Sequence, residues 1–345
     1  MEDGLAMRGL AKAAQARKRA TQLMYYALDF SPRYALLQMR CTIDSQRAIR
    51  NGWVGFTREV HARKDIWVQH FLRREFSDLI DDWKKREESD PNLPLNWSQT
   101  APIWILWLQG KHAIPPHVAA KVRTVRQHAG RHPVQVVDRA DLRHLVNIPD
   151  DIYKKYDSGI ISHAFFSDIA RIWLLTQHGG LWLDSSVVLV SEIPEEVWLS
   201  PYWTAKEIDP RFPLEPVCVD ICHWQGYMLA SQPQGLLVSF IREFLLQYLR
   251  RYNRPIDYLL LNHVAKVARE CLPAISKQYE DIPPNNQLCE LLGPELEKGT
   301  PSSKDLRSLY LESNTFFYKL SNHVKYPLKS PSGTPTLAAD VLSAP

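Results

Sequence analysis

The chain has 345 residues, 45% hydrophobic and 23% charged. That is an ordinary globular composition, allowing one large domain with an appendage or two domains. Its net charge of +4 is only mildly basic and does not single out nucleic acid as a partner. Five cysteines, odd in number and sparse, do not form the pattern of a disulfide framework and fit a reducing, cytoplasmic compartment.

The first twenty residues, "MEDGLAMRGLAKAAQARKRA", lack the apolar core of a signal peptide. No run reaches the roughly 18 apolar residues of a membrane-spanning helix. Arg8, Lys12, Arg17, Lys18 and Arg19 make a basic helical start. It reads either as a solvated helix face or as one drawn peripherally to an anionic membrane surface. Helical spacing continues in "DIWVQHFLRREFSDLIDDWKKREE", through Ile66, Trp67, His70, Phe71, Phe76, Ile80 and Trp83. The prolines of "SDPNLPLN" then mark a linker. Residues 1–97 are therefore expected to be a helical appendage and linker.

From residue 98 the pattern changes. "PIWILWLQG" is a short run of β-branched and aromatic residues and predicts a strand. "HVAAKVRTVRQHAG" predicts a helix with Val118, Val122 and Val125 on one face, and "PVQVVD" a second strand. Such alternation predicts an α/β layer with parallel strands, whose ligands bind beyond the carboxyl ends of those strands. Residues 163–178 carry a helical pattern that Gly179 closes. "LWLDSSVVLV" follows as a strand with one carboxylate, Asp184, inside it. "YWTAKEI" and "PVCVDICHW" also read as strands. The period-2 alternation makes Cys218 and Cys222 plain strand residues in preference to zinc ligands. "PQGLLVSFIREFLLQYLRRY" and "IDYLLLNHVAKVAREC" read as helices, with Asp257 either capping the second or reaching an acceptor. Residues 327–345, rich in proline, serine and threonine, are expected to be a disordered tail.

Asp168 and Arg171 are three apart on the predicted helix, so they share a face. Asp184 follows thirteen residues later, beyond Gly179 and Gly180. Those glycines permit a tight reversal and a close approach of ligand to the main chain. Two carboxylates and a guanidinium suit a polyhydroxylated, anionic ligand. Spacing alone equally allows a structural Asp168–Arg171 salt bridge.

The stretch "FSDIARIWLLTQHGGLWLDSSV" resembles the signature of capsular polysaccharide synthesis proteins. The matching residues are Ser167, Asp168, Arg171, Leu174, Leu175, Gly179, Gly180, Trp182 and Asp184. That family is related to sugar-transferring enzymes with a DXD motif and a GT-A type fold. The likeness extends upstream to Trp107, Gln109 and Gly110, and downstream to "FFYKLSNH", covering about residues 98–325. It implies a GT-A-like glycosyltransferase domain over residues 98–326. The implied reaction moves a sugar, with retention, from a nucleotide-sugar donor to a glycan or lipid-linked acceptor.

The resemblance makes Asp184, Asp168 and Arg171 the catalytic candidates. It makes Trp107, Gln109, Gly110, Ser167, Gly179, Gly180, Trp182 and Lys319 donor-binding candidates. One departure stands out. The related enzymes use a second motif aspartate to hold Mn²⁺ or Mg²⁺, and here that position is Ser186. Asp184 remains as a metal ligand, with His323 as a weaker one. The alternative is that the ammonium of Lys319 meets the departing diphosphate. A catalytically silent, sugar-binding relative is the second reading. A nucleic-acid-binding protein is a third, and it has no recognised motif behind it.

Overall fold

The computed structural model describes residues 17, 19–50, 58–89, 95–211, 219–220 and 223–343. The chain divides into two compact units. One comprises residues 1–75 with 255–260, the other residues 76–254 with 261–345.

The first unit is helical, with α1 over residues 19–29, α2 (Pro32–Arg50) and α3 (Arg58–Glu75). Aromatic side chains form its centre: Tyr34 stacks on Trp67 at 4.5 Å and Trp67 on Phe71 at 5.4 Å. The buried Lys64 ammonium lies 2.7 Å from the equally buried Asp257 carboxylate. The other oxygen of Asp257 accepts from the Leu259 amide at 2.8 Å, closing a local turn. Of the basic start, Arg8, Lys12 and Lys18 lie outside the described residues.

The second unit begins earlier than the proline-rich stretch suggested. Its first helix, α4 (Ser77–Ser89), belongs to it. Phe76 packs on Phe244 at 4.2 Å, and the Trp83 indole donates to Glu243 at 2.9 Å. A linker-like composition here joins parts of one packed unit. There follow β1 (Ile103–Leu106), α5 (Pro116–Gln127), β2 (Val134–Val137), α6 (Arg139–Leu145) and α7 (Asp150–Asp157). Then come α8 (His163–His178), β3 (Gly180–Leu183), β4 (Val187–Leu189), α9 (Glu196–Leu199), β5 (Tyr202–Thr204) and β6 (Met228–Ser231). The chain continues with α10 (Leu236–Arg251), α11 (Leu260–Cys271), α12 (Pro273–Glu280), α13 (Leu292–Glu297), α14 (Lys304–Leu311), β7 (Phe317–Lys319) and α15 (Leu337–Leu342).

A five-stranded sheet runs in the order β2-β1-β3-β6-β5. β1 is parallel to β2 and β3, while β6 is antiparallel to β3 and β5. The sheet is thus mixed: β2, β1 and β3 are parallel, as the alternation of elements predicts, and β6 runs against them. α8 is buried nearly all round, from Phe165 to Thr176, which marks a central helix. Ser162 caps its start by accepting from the Phe165 amide at 3.2 Å.

Three expectations are corrected. "LWLDSSVVLV" is two strands in two sheets. β3 ends at Leu183, the Val187 amide donates to the Asp184 carbonyl at 2.9 Å, and β4 then pairs with β7 in a separate antiparallel sheet. "PVCVDICHW" is not strand where it is described. Val219, Asp220 and His223 lie in turns, Asp220 at φ 55°, whereas Cys218 and Cys222 fall outside the described residues. The tail is folded as far as residue 343. Leu337, Ala338 and Val341 are buried in a cluster with Val188, Leu292, Tyr318 and Leu320. Low overall hydrophobicity hid that short apolar stripe.

Candidate functional site

The parallel strands β1, β2 and β3 end at one edge of the sheet, where open α/β sheets bind ligands. Asp184 is the first residue beyond β3. Its amide continues the ladder by donating to the Tyr227 carbonyl at 2.9 Å. The carboxylate therefore stands at a strand end, not inside a strand.

Arg171 projects from the middle of α8 toward that edge and is almost wholly buried. One guanidinium nitrogen lies 2.9 Å from Asp168 Oδ1 and the other 3.0 Å from Asp184 Oδ1. The helix-surface salt bridge thus exists, but it is one half of a bridge joining both carboxylates. The Trp182 indole donates to Asp184 Oδ1 at 2.9 Å, and the guanidinium lies 5.0 Å from the same ring. Gly226 leaves room for this arginine, since a Cβ there would stand 2.9 Å from Arg171 Nη1.

The other face of the triplet is held by β7 and the loop after it. Lys319 Nζ donates to Asp184 Oδ2 at 2.7 Å and to Ser186 Oγ at 2.8 Å. Asn322 donates to Ser185 Oγ at 2.8 Å, and the Leu320 amide donates to the Ser186 carbonyl at 2.9 Å. Behind them the buried Lys121 of α5 donates to the Ser321 carbonyl at 3.0 Å and to Asn322 Oδ1 at 3.1 Å. Every residue of Asp184-Ser185-Ser186 is thereby fixed.

The two carboxylates experience opposite environments. Burial pushes Asp168 up to about 6, against the pull of Arg171. Burial also works to raise Asp184, but Lys319 and Arg171 together hold it well below the usual carboxylate range. Burial, with Lys319 nearby, draws Lys121 down to about 8. Glu290, a carboxylate that no sequence signal marked, also belongs to this cluster. Burial raises it to about 7, opposed by the charge of Lys319 and a hydrogen bond with Tyr227. Only topology brings it here, because the Lys319 amide donates to the carbonyl of neighbouring Cys289 at 2.8 Å. Asn322, Lys121 and Gly226 were likewise unmarked.

Other sequence candidates are placed differently. Gly179 and Gly180 lie at the start of β3, roughly 13 Å of strand away from Asp184. They serve packing and are not at the rim of the site. Gly179 has φ 65° and Gly180 φ 107°. A Cβ on Gly179 would stand 2.5 Å from Pro233 Cδ, and one on Gly180 would meet the Pro102 carbonyl oxygen. Trp182 is buried and orients Asp184 instead of opening onto a pocket. Ser167 is half-buried, and Gln109 and Gly110 lie just past the end of β1, next to β3. Trp107, also there, keeps a buried indole N–H with no hydrogen-bond partner among the described residues.

A divalent cation at the triplet would need several hard oxygen ligands free to turn toward it. Both oxygens of Asp184 are engaged by Arg171, Trp182 and Lys319, and Ser186 Oγ is engaged by Lys319. His323 is exposed, its amide held by Ser321 Oγ at 3.1 Å, and it is Asn322 that reaches the triplet. Among the described residues no group of three or more His, Cys, Asp or Glu could hold a metal ion. The residues present do not fit a metal here.

Among the described residues no helix is long and apolar enough to cross a membrane. A search of the curated proteins found no match. A solved structure named PaToxG Glycosyltransferase aligns over 62% of this chain and 83% of its own, at 11% identity and a TM-score of 0.33. The family of capsular polysaccharide synthesis proteins matches over residues 50–335. That span takes in α8, the triplet and Lys319, and the chain belongs to this family.

Proposed function

We propose that the chain is a glycosyltransferase with a GT-A-like fold. It takes a sugar from a nucleotide-sugar donor and passes it, with retention, to a glycan or lipid-linked acceptor during surface polysaccharide synthesis. The observation that carries this reading is the Arg171 bridge between Asp168 and Asp184 at the carboxyl edge of the parallel strands. Transfer requires a departing diphosphate and a sugar with growing positive charge to be stabilised by preset groups. Asp184, kept anionic, faces the sugar side. Asp168 accepts from sugar or ribose hydroxyls, and Arg171 fixes both carboxylates. The indole N–H of Trp107, unpartnered among the described residues, offers a donor, and its ring a face, to the nucleotide.

A lipid-linked acceptor would bring the protein to a membrane surface. α2 exposes Leu36, Met39 and Ile43 beside Arg33, Arg40 and Arg47. These six fall on one helical face and suit an anionic lipid surface. Sedimentation with anionic but not neutral vesicles tests that contact.

The test of the enzyme reading is donor turnover. Purified protein is given each common nucleotide sugar, and release of nucleoside diphosphate is followed. Binding of a donor with no turnover, with or without an acceptor glycan, would favour the silent-relative reading. Ser186 in place of a carboxylate is what supports that second reading.

A further inference from the structure

The Lys319 ammonium sits between the first and third residues of the triplet, 2.7 Å from Asp184 Oδ2 and 2.8 Å from Ser186 Oγ. An oxygen-bound divalent cation bridging those two side chains would require the same space. We propose that Lys319 is a built-in cation that binds the diphosphate of the nucleotide donor directly, making donor binding independent of divalent metal. This rests on the glycosyltransferase reading and specifies how its site meets the anionic leaving group.

Three observations converge on it. An ammonium has three N–H donors. Two are bonded to Asp184 and Ser186, which leaves one for a phosphate oxygen. The side chain is anchored on a strand, since Lys319 pairs with Val187 across β4 and β7, so the charge is positioned in advance. The ammonium lies 4.9 Å from the Tyr227 ring centroid, which stabilises a cation without neutralising it. Ser186 contributes in the same direction. A second carboxylate there would give Lys319 another anionic partner in competition with phosphate, whereas a hydroxyl holds the ammonium without adding to the charge of Asp184. Lys121 adds positive potential behind the loop through its contacts with Ser321 and Asn322.

The experiment is calorimetric titration with UDP, GDP, CDP, ADP and dTDP. Each is run once in EDTA and once in 1 mM Mn²⁺ or Mg²⁺, on the full chain. The expected result is that at least one nucleotide binds with equal affinity, within about threefold, in both conditions. Lys319→Met should weaken it by about 10- to 100-fold, the loss of one charge-assisted bond. Ser186→Asp combined with Lys319→Ala should make binding metal-dependent. Binding by the wild type only when metal is present would overturn the proposal and leave the glycosyltransferase reading standing. No binding of any nucleotide in either condition would overturn both. Because the wild-type comparison decides, failure of a variant to fold does not protect the proposal.

Discussion

Gly180→Ala separates two explanations of the glycine pair: close approach of a ligand, or close packing of the protein on itself. Gly180 opens β3 at φ 107°, a conformation in which an L-residue costs about 1–2 kcal/mol. The added methyl would lie 3.0 Å from Trp104 Nε1 and closer still to the Pro102 carbonyl. That carbonyl accepts from the Leu181 amide at 2.9 Å and so belongs to the β1–β3 join. Trp104 Nε1 in turn donates to the Gly179 carbonyl at 2.8 Å. Neither neighbour is a free side-chain end that can swing away. Overpacking of this kind costs about 1–3 kcal/mol, so the two effects together reach about 2–5 kcal/mol. For a unit of this size that is a fall in Tm of about 5 °C or more. The assay is thermal unfolding of Gly180→Ala with and without the best-binding nucleotide. The variant should melt lower yet keep the nucleotide-induced increment, because Asp184 lies at the other end of β3. A variant that melts like the wild type but has lost the increment would refute the packing account and return the glycines to the ligand.

Asp184→Asn should lower sugar transfer by about 100-fold or more. It should also cost about 3 kcal/mol of stability, since Arg171 and Lys319 lose their shared anion; near-normal transfer would remove Asp184 from the chemistry. Leu337→Ala should destabilise by about 2–4 kcal/mol, read as a lower denaturant midpoint, and no shift would mean that α15 is not part of the folded unit. Asp168 binds its proton more tightly folded, near 6, than at its ordinary 3.8. Its contribution therefore favours folding below about 4 and is lost as pH rises through about 6; Asp168→Asn should remove that share of the slope between pH 4 and 7, measured by urea unfolding.

What the sequence made legible was local. α8 and the strand after it follow from the period of their apolar residues and from the closing glycine. The i, i+3 spacing of Asp168 and Arg171 is enough to place them on one face. The break at Asp184 was not legible, because apolar β-branched residues stand on both sides of it and periodicity cannot show that a chain changes sheets. Lys319 was marked only by likeness, since a single lysine in "FYKLS" carries no spacing signal; its role depends on the pairing of β4 with β7. Glu290, Asn322 and Lys121 were invisible for the same reason. They lie more than a hundred or several tens of residues from the helix they serve, and only the second sheet brings them together.

The carboxylates at this site differ by their share of cations. Asp184 receives Arg171 on one oxygen and Lys319 on the other, and two cations outweigh the burial that works to neutralise it. Asp168 has one oxygen on the same guanidinium and feels the negative charge of Asp184 besides. Environments that drive two carboxyl groups apart assign them different work. A group that stays charged through the physiological range is suited to hold a fixed counter-charge against a sugar losing its leaving group. A group that titrates near 6 is suited to accept from a hydroxyl while ionised and to stop doing so once protonated. Donor binding should therefore weaken as pH falls through about 6 even though Asp184 remains charged, and in Asp168→Asn that loss should disappear. Nucleotide-sugar titrations at pH 5 and pH 8 measure it. Equal weakening in the variant would locate the titrating group elsewhere, with Glu290, raised to about 7, as the next carboxyl to substitute.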